Sequence, residues 1–141
     1  MSILQPDIPH ARVVDLFAGS GALGLEALSR GAASADFVEK DSKSIGVLRK
    51  NIEILGAGEH ANIRRGNAIS FVESLDAASY DLAFADPPYE GGFAIQLANL
   101  WLARPFAPIL SVEHSAYEKM PAATDTRRYG TSAITFYRIE E

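Results

Sequence analysis

A short β-type run carrying Val13, Val14, Leu16 and Phe17 breaks at Ala18-Gly19-Ser20-Gly21 and passes into a segment with helical spacing. That segment carries Leu23, Ala27 and Leu28, with Gly31 as its stop. A strand feeding a helix through a few glycines is the opening of a βαβ unit, which restricts the chain to sheets flanked by helices. The remainder repeats the alternation. Ala35 to Glu39 reads as a strand. A helix capped near Asp41 or Ser42 then repeats Ile45, Leu48, Ile52 and Leu55 at three- and four-residue intervals until Gly56. Ala61 to Arg65 is a weaker strand, and Ile69, Val72 and Leu75 mark a short helix. Tyr80 to Ala85 reads as a buried strand, Phe93, Leu97, Leu100 and Trp101 as a helix, and Ile109–Glu113 and Ile134–Ile139 as the last strands. The expected fold class is α/β, with a mostly parallel sheet and helices on both faces. No repeat, low-complexity tract or linker divides residues 1–141, so a single domain is expected.

In such sheets a ligand lies beyond the carboxyl ends of the strands, at the topological switch point. Gly19 and Gly21, Glu39, Asn67 and Asp86 all fall at strand ends. Gly19, Gly21 and Gly24 form G-x-G-x-x-G. The first two permit a tight turn and close approach of a ligand, and the third permits close helix–strand packing. The following helix aims free N–H groups above the loop. Glu39, twenty positions past Gly19, can accept from both hydroxyls of a ribose. Loop and acid together predict a site for an adenosine-type cofactor. NAD or FAD is the rival ligand, but Asp15 would repel a pyrophosphate and suits a cationic amino-acid moiety. S-adenosylmethionine carries an ammonium, a sulfonium and no phosphate, so Asp15 favours that donor.

Asp86-Pro87-Pro88-Tyr89 follows the buried strand. Two prolines remove two N–H donors and hold the residues before them extended, leaving acceptors: the Asp86 carboxylate and the Pro87 carbonyl. An exocyclic amine conjugated to a base is a poor nucleophile. Two acceptors taking its N–H groups free the lone pair, and Asp86 stabilises the charge that grows on nitrogen during methyl transfer. Tyr89 offers a ring on which an extruded base can stack. The tetrapeptide alone does not separate guanine N2 from adenine N6, or RNA from DNA.

The chain has no cysteine, which excludes disulfides and cysteine-ligated metals. His10, His60 and His114 are scattered and predict no metal site. Nothing resembles a signal peptide or a membrane span, so a cytoplasmic protein is expected. The net charge of −5 runs against the basic field usual in nucleic-acid binders. The basic pairs Arg49-Lys50, Arg64-Arg65 and Arg127-Arg128 read first as solvated surface.

With both loops placed, the chain resembles the Rossmann-like N-methyltransferases, and among them the RsmD family of ribosomal RNA guanine-N2 methyltransferases. The resemblance rests on DLFAGSGALGLEALSRGA at Asp15–Ala32, FVEKD at Phe37–Asp41, RRGNA at Arg64–Ala68, YDLAFADPPY at Tyr80–Tyr89 and VEHS at Val112–Ser115. RRYGTSAITFYR fits the family's closing hairpin. This implies a seven-stranded sheet with an antiparallel last strand, S-adenosylmethionine as cofactor, and a guanine of 16S ribosomal RNA as target. The partner implied is an assembling small ribosomal subunit, met by a monomer. Carried over, the donor lies against Asp15, Phe17, Gly19, Ser20, Gly21, Glu39, Lys40 and Asp86, with Asn67 and Ala68 near the adenine. Asp86, Pro87, Pro88 and Tyr89 form the catalytic loop. The family often has Asp at position 67, and the amide is expected to accept from the adenine amine more weakly. Glu113 and His114 are expected to be structural. Family members also carry a basic N-terminal segment and a helix before the first strand. Met1–Gln5 is expected to be only the tail of that helix, with the basic segment lacking.

Overall fold

A computed structural model describes residues 2–123 and 125–139. After a 3₁₀ helix at Ser2–Asp7 come β1 (Arg12–Leu16), α1 (Ala22–Ser29), β2 (Ser34–Glu39), α2 (Ser42–Ile54), β3 (Ala61–Arg65) and α3 (Ala68–Glu73). The second half holds β4 (Leu82–Ala85), α4 (Phe93–Ala103), β5 (Ile109–Ser115), β6 (Asp125–Tyr129) and β7 (Ser132–Arg138). The seven strands form one sheet in the order β3-β2-β1-β4-β5-β7-β6. Strands β1 to β5 pair in parallel, and β7 runs antiparallel to both β5 and β6. The chain winds outward from β1 to β3 and returns to β4 on the other side of β1. The switch point therefore lies between β1 and β4.

Strand periodicity sorts side chains between two apolar layers. Val14, Leu16, Ala83, Ala85 and Val112 pack with α3 and α4 on one face, where Leu97 and Trp101 are buried. Val13, Phe37, Leu82 and Phe84 pack with α1, α2 and the 3₁₀ helix on the other, around Leu25, Leu48 and Leu4. The α2 start is set by Asp41, whose carboxylate accepts from the Ser44 backbone N–H at 2.9 Å. Gly56, with φ 62°, follows its end as expected of a helix stop. Trp101 donates to the Ala107 carbonyl at 2.8 Å, which lets the indole sit in the core.

Three boundaries differ from those read off the sequence. β4 begins at Leu82, because Tyr80 turns its hydroxyl to Asp36 at 2.6 Å and Asp81 bridges back to Arg12. The first residues form a 3₁₀ helix containing Pro6 rather than an α-helical tail, and Met1 lies outside the described residues. β6, absent from the periodic reading, forms the sheet edge. Among the described residues no helix is long and apolar enough to cross a membrane.

Candidate active site

The carboxyl ends of β1 and β4 are neighbours, with Leu16 opposite Ala85. Asp15 therefore stands one residue before the end of β1, and Asp86 one residue past the end of β4. Asp15 is buried, only 1% exposed. Its Oδ2 accepts from the Gly24 backbone N–H at 3.0 Å, which ties the strand to the first turn of α1. Its Oδ1 is buried and has no hydrogen-bond partner among the described residues. Burial pushes the Asp15 carboxyl up to about 7, and the carboxylates of Asp86 and Glu39 push the same way against the Gly24 N–H. An orphaned, desolvated carboxylate oxygen fits a cation and does not fit a pyrophosphate.

Glu39 is committed three times to its own backbone. Oε1 accepts from Gly19 N–H at 2.9 Å, and Oε2 accepts from the N–H groups of Lys40 at 3.0 Å and Asp41 at 2.8 Å. The acid expected to meet a ribose thus also holds the glycine loop against the end of β2. Oε2 is then filled, and Oε1 keeps one lone pair for a hydroxyl. Asn67 is the N-cap of α3: its Oδ1 accepts from Ser70 N–H at 3.1 Å. The amide oxygen expected to meet an adenine amine is already engaged, and the free end is the Nδ2 donor. Asp could cap the helix in the same way.

Phe17, Glu39, Lys40, Asn67 and Ala68 come together as the walls of one cavity of about 100 Å³, closed by Pro88 and Phe93. The Phe17 and Phe93 rings lie 5.7 Å apart. Phe17 holds φ at 56°, a left-handed backbone that a bulky residue rarely adopts. The turn that brings its ring to this cavity is where the strain sits. Ser20 lies elsewhere, on an exposed depression facing α2, where its carbonyl accepts from Asn51 Nδ2 at 3.0 Å.

The glycines divide their work differently from the expectation. Gly19 has φ 57° and open space where a Cβ would stand, so it is the position that leaves room for a ligand. A Cβ on Gly21, at φ 84°, would strike Leu48 and Phe37 in the core beneath. Gly21 permits packing rather than approach. A Cβ on Gly24 would strike the Phe37 ring, in keeping with the close helix–strand contact expected there.

Asp86 is exposed, Pro87 is buried, and Pro88 joins the cavity wall. The Tyr89 hydroxyl bonds Ser132 Oγ at 2.6 Å, tying the loop to the start of β7 and leaving the ring exposed. Ala85 is opposite Val112, so the next residues, Asp86 and Glu113, emerge side by side. Burial, followed by the neighbouring Asp86 carboxyl, pushes the Glu113 carboxyl up to about 7. Glu113, expected to be structural, lies beside Asp86 through the β4–β5 register. His114 keeps the structural place expected of it, buried between Thr135 Oγ1 at 2.6 Å and the Ser115 carbonyl at 2.8 Å.

A half-wound parallel sheet closed by an antiparallel β7, with carboxylates lining the switch point, is the Rossmann-like methyltransferase fold. The family described as Conserved hypothetical protein 95 matches residues 1–138, and the chain belongs to that family. This accords with the resemblance carried by its motifs. It is 43% identical over 105 residues to the Ribosomal RNA small subunit methyltransferase D of Escherichia coli strain K12, covering 71% of this chain. The match spans 52% of that relative, about half of its length. The solved structure of yhhF from Escherichia coli superposes with a TM-score of 0.84 at 34% identity, over 99% of this chain and 81% of that one. An RNA methyltransferase from Salinibacter ruber, solved with S-adenosyl-L-homocysteine, shares the fold at TM-score 0.75 and 15% identity, over 99% of this chain and 89% of that one.

Proposed function

We propose that residues 1–141 form a single methyltransferase domain that uses S-adenosylmethionine to methylate N2 of a guanine in small-subunit ribosomal RNA. The observation that carries this reading is the pairing of two unlike carboxylates across the switch point. Asp15 offers a buried, unpartnered oxygen suited to a cation, and Asp86 offers exposed acceptors suited to an amine. The name of the Escherichia coli relative points to ribosomal RNA of the small subunit as the substrate class. We read the partner as the assembling small subunit, met by the chain as a monomer in the cytoplasm.

When bound, the donor supplies a methyl group activated by positively charged sulfur. The chain's own residues do the rest. Asp15 Oδ1 faces the cationic end, Glu39 Oε1 receives one hydroxyl, and the cavity of Phe17, Phe93 and Pro88 encloses a flat ring system. Asp86 and the Pro87 carbonyl accept the two N–H groups of the exocyclic amine and turn its lone pair outward. After nitrogen has gained the methyl it carries positive charge and one proton too many. Asp86 receives that proton, and the adjacent Glu113, whose carboxyl is pushed up to about 7, can share it. Removing one electrostatic partner of a developing charge costs roughly 10²-fold or more in rate. Asp86→Ala is therefore expected to lose labelled-methyl transfer to unmethylated small-subunit particles by at least that factor, with donor affinity kept within about threefold. Transfer at near wild-type rate would overturn the reading, and mapping the modified nucleotide separates guanine N2 from adenine N6.

A further inference from the structure

The chain has five tyrosines. Tyr80 and Tyr137 belong to the core, whereas Tyr89, Tyr117 and Tyr129 are 45%, 85% and 58% exposed. The three exposed tyrosines are far apart in sequence, yet they meet at the tip of the closing hairpin, Tyr89 by its hydroxyl and Tyr117 and Tyr129 by their backbone. Tyr129 is opposite Ser132 in the β6–β7 ladder. The Tyr89 hydroxyl bonds Ser132 Oγ at 2.6 Å. Ser115 is opposite Ser132 on the other side, its Oγ accepts from Tyr117 N–H at 3.2 Å, and Ala116 N–H reaches the Thr131 carbonyl at 2.9 Å. Singly exposed aromatics need no explanation, but three converging beside a catalytic loop do.

We propose that this edge is a stacking platform for unpaired nucleotides flanking the target base. The proposal rests on the reading of RNA as substrate and adds the form in which the RNA is held. Tyrosine faces bind bases only where the bases are unstacked; an A-form duplex hides its π-faces and shows edges and backbone. The same edge is poorly suited to adding a strand from another protein, because β6 presents exposed Asp125, Arg127 and Arg128, the charges that block edge pairing.

Anisotropy titrations of the full chain with a labelled twelve-nucleotide single-stranded RNA, and with the same strand in a duplex, test this. Tyr117→Ala and Tyr129→Ala should each weaken single-strand binding by roughly 5- to 100-fold, the range for loss of one stacking ring. Tyr→Phe at either position should stay within about threefold, since the face is kept. Both side chains are exposed, and unchanged titration with S-adenosylmethionine would show the variants folded. Binding unaffected by the alanine variants, tighter binding to duplex, or no single-strand binding by the wild type would overturn the platform. So would a dimer that Tyr129→Ala dissociates, which would make the edge a protein contact. Loss of transfer in Asp86→Ala together with wild-type behaviour of both tyrosine variants would sink the platform alone. Retained transfer in Asp86→Ala would sink the catalytic reading alone.

Discussion

The ends of β1 to β3 and the ends of β4, β5 and β7 treat their polar groups in opposite ways. On the first side, Glu39 spends both oxygens on three backbone N–H groups, Asn67 caps α3, and Asp15 spends one oxygen on Gly24. On the second, Asp86 is exposed beside the Glu113 carboxyl, and Tyr89 is held by its hydroxyl with its face free. The first half is a scaffold whose side chains fix the backbone, so a ligand meets a site already in shape. The second presents acceptors with little bracing, as suits a macromolecule that completes the site when it docks. Asp15 Oδ1 is the exception within the braced half, and it marks where that half still lacks a partner.

Asp15 gives the largest way to break this contrast. An unfolded aspartate loses its proton near 4, whereas the folded one holds it to about 7. The folded state therefore binds more protons, and its stability falls as pH rises from about 4 to about 7, by about 4 kcal/mol in all, then levels off. Asp15→Asn keeps an acceptor for Gly24 and removes that charge. It should raise the melting temperature at pH 8, change it little near pH 4, and weaken S-adenosylmethionine by roughly 10²-fold, the scale of a buried pair losing one partner. Donor affinity of the wild type should tighten with pH up to about 7 and be flat in the variant. A variant that binds as the wild type does would show that the orphan oxygen meets no cation.

The glycine loop sharpens the same contrast at the next level. Gly21→Ala forces a Cβ onto Leu48 and Phe37 and should cost about 1–3 kcal/mol of stability in urea melts, with donor affinity of the folded fraction nearly unchanged. Gly19→Ala meets no neighbour and should cost only about 1 kcal/mol, from its left-handed backbone, while weakening the donor. The reverse pattern would return Gly21 to the ligand side.

The smallest effect is expected at Glu113. The Asp86–Glu113 pair retains a proton below about 7, so the wild-type rate at saturating donor should climb as pH rises through that range. Glu113→Gln cannot hold the shared proton as an acid, and the rising limb should move to lower pH with only a several-fold change at pH 8. An unmoved pH profile would return Glu113 to a structural role.

Much of this was legible from one dimension, and what was not has physical causes. The alternation of apolar runs and helical spacing predicted six strands and four helices, because each buries a periodic face. β6 escaped because its five residues, Asp125 to Tyr129, lie mostly exposed at the sheet edge and bury no face. The strand ends located the candidate site, since ligands meet a parallel sheet there. Glu113 escaped because its proximity to Asp86 is a matter of register between β4 and β5, which no local pattern encodes. Gly21 carried the right signal for a positive φ, but what its missing Cβ avoids depends on where α2 packs.

The Phe37 ring lies under both Gly21 and Gly24, the nearest obstacle for a side chain at 24 and a close one at 21. Three positions on two elements therefore share a single volume. In evolutionary terms they are one character: a lineage can enlarge residue 24 only by shrinking residue 37, and a smaller residue at 37 removes one of the reasons for glycine above it. Phe37→Leu should make Gly24→Ala more tolerable than it is alone, and relatives that depart from glycine at 24 are expected to carry a smaller side chain at 37.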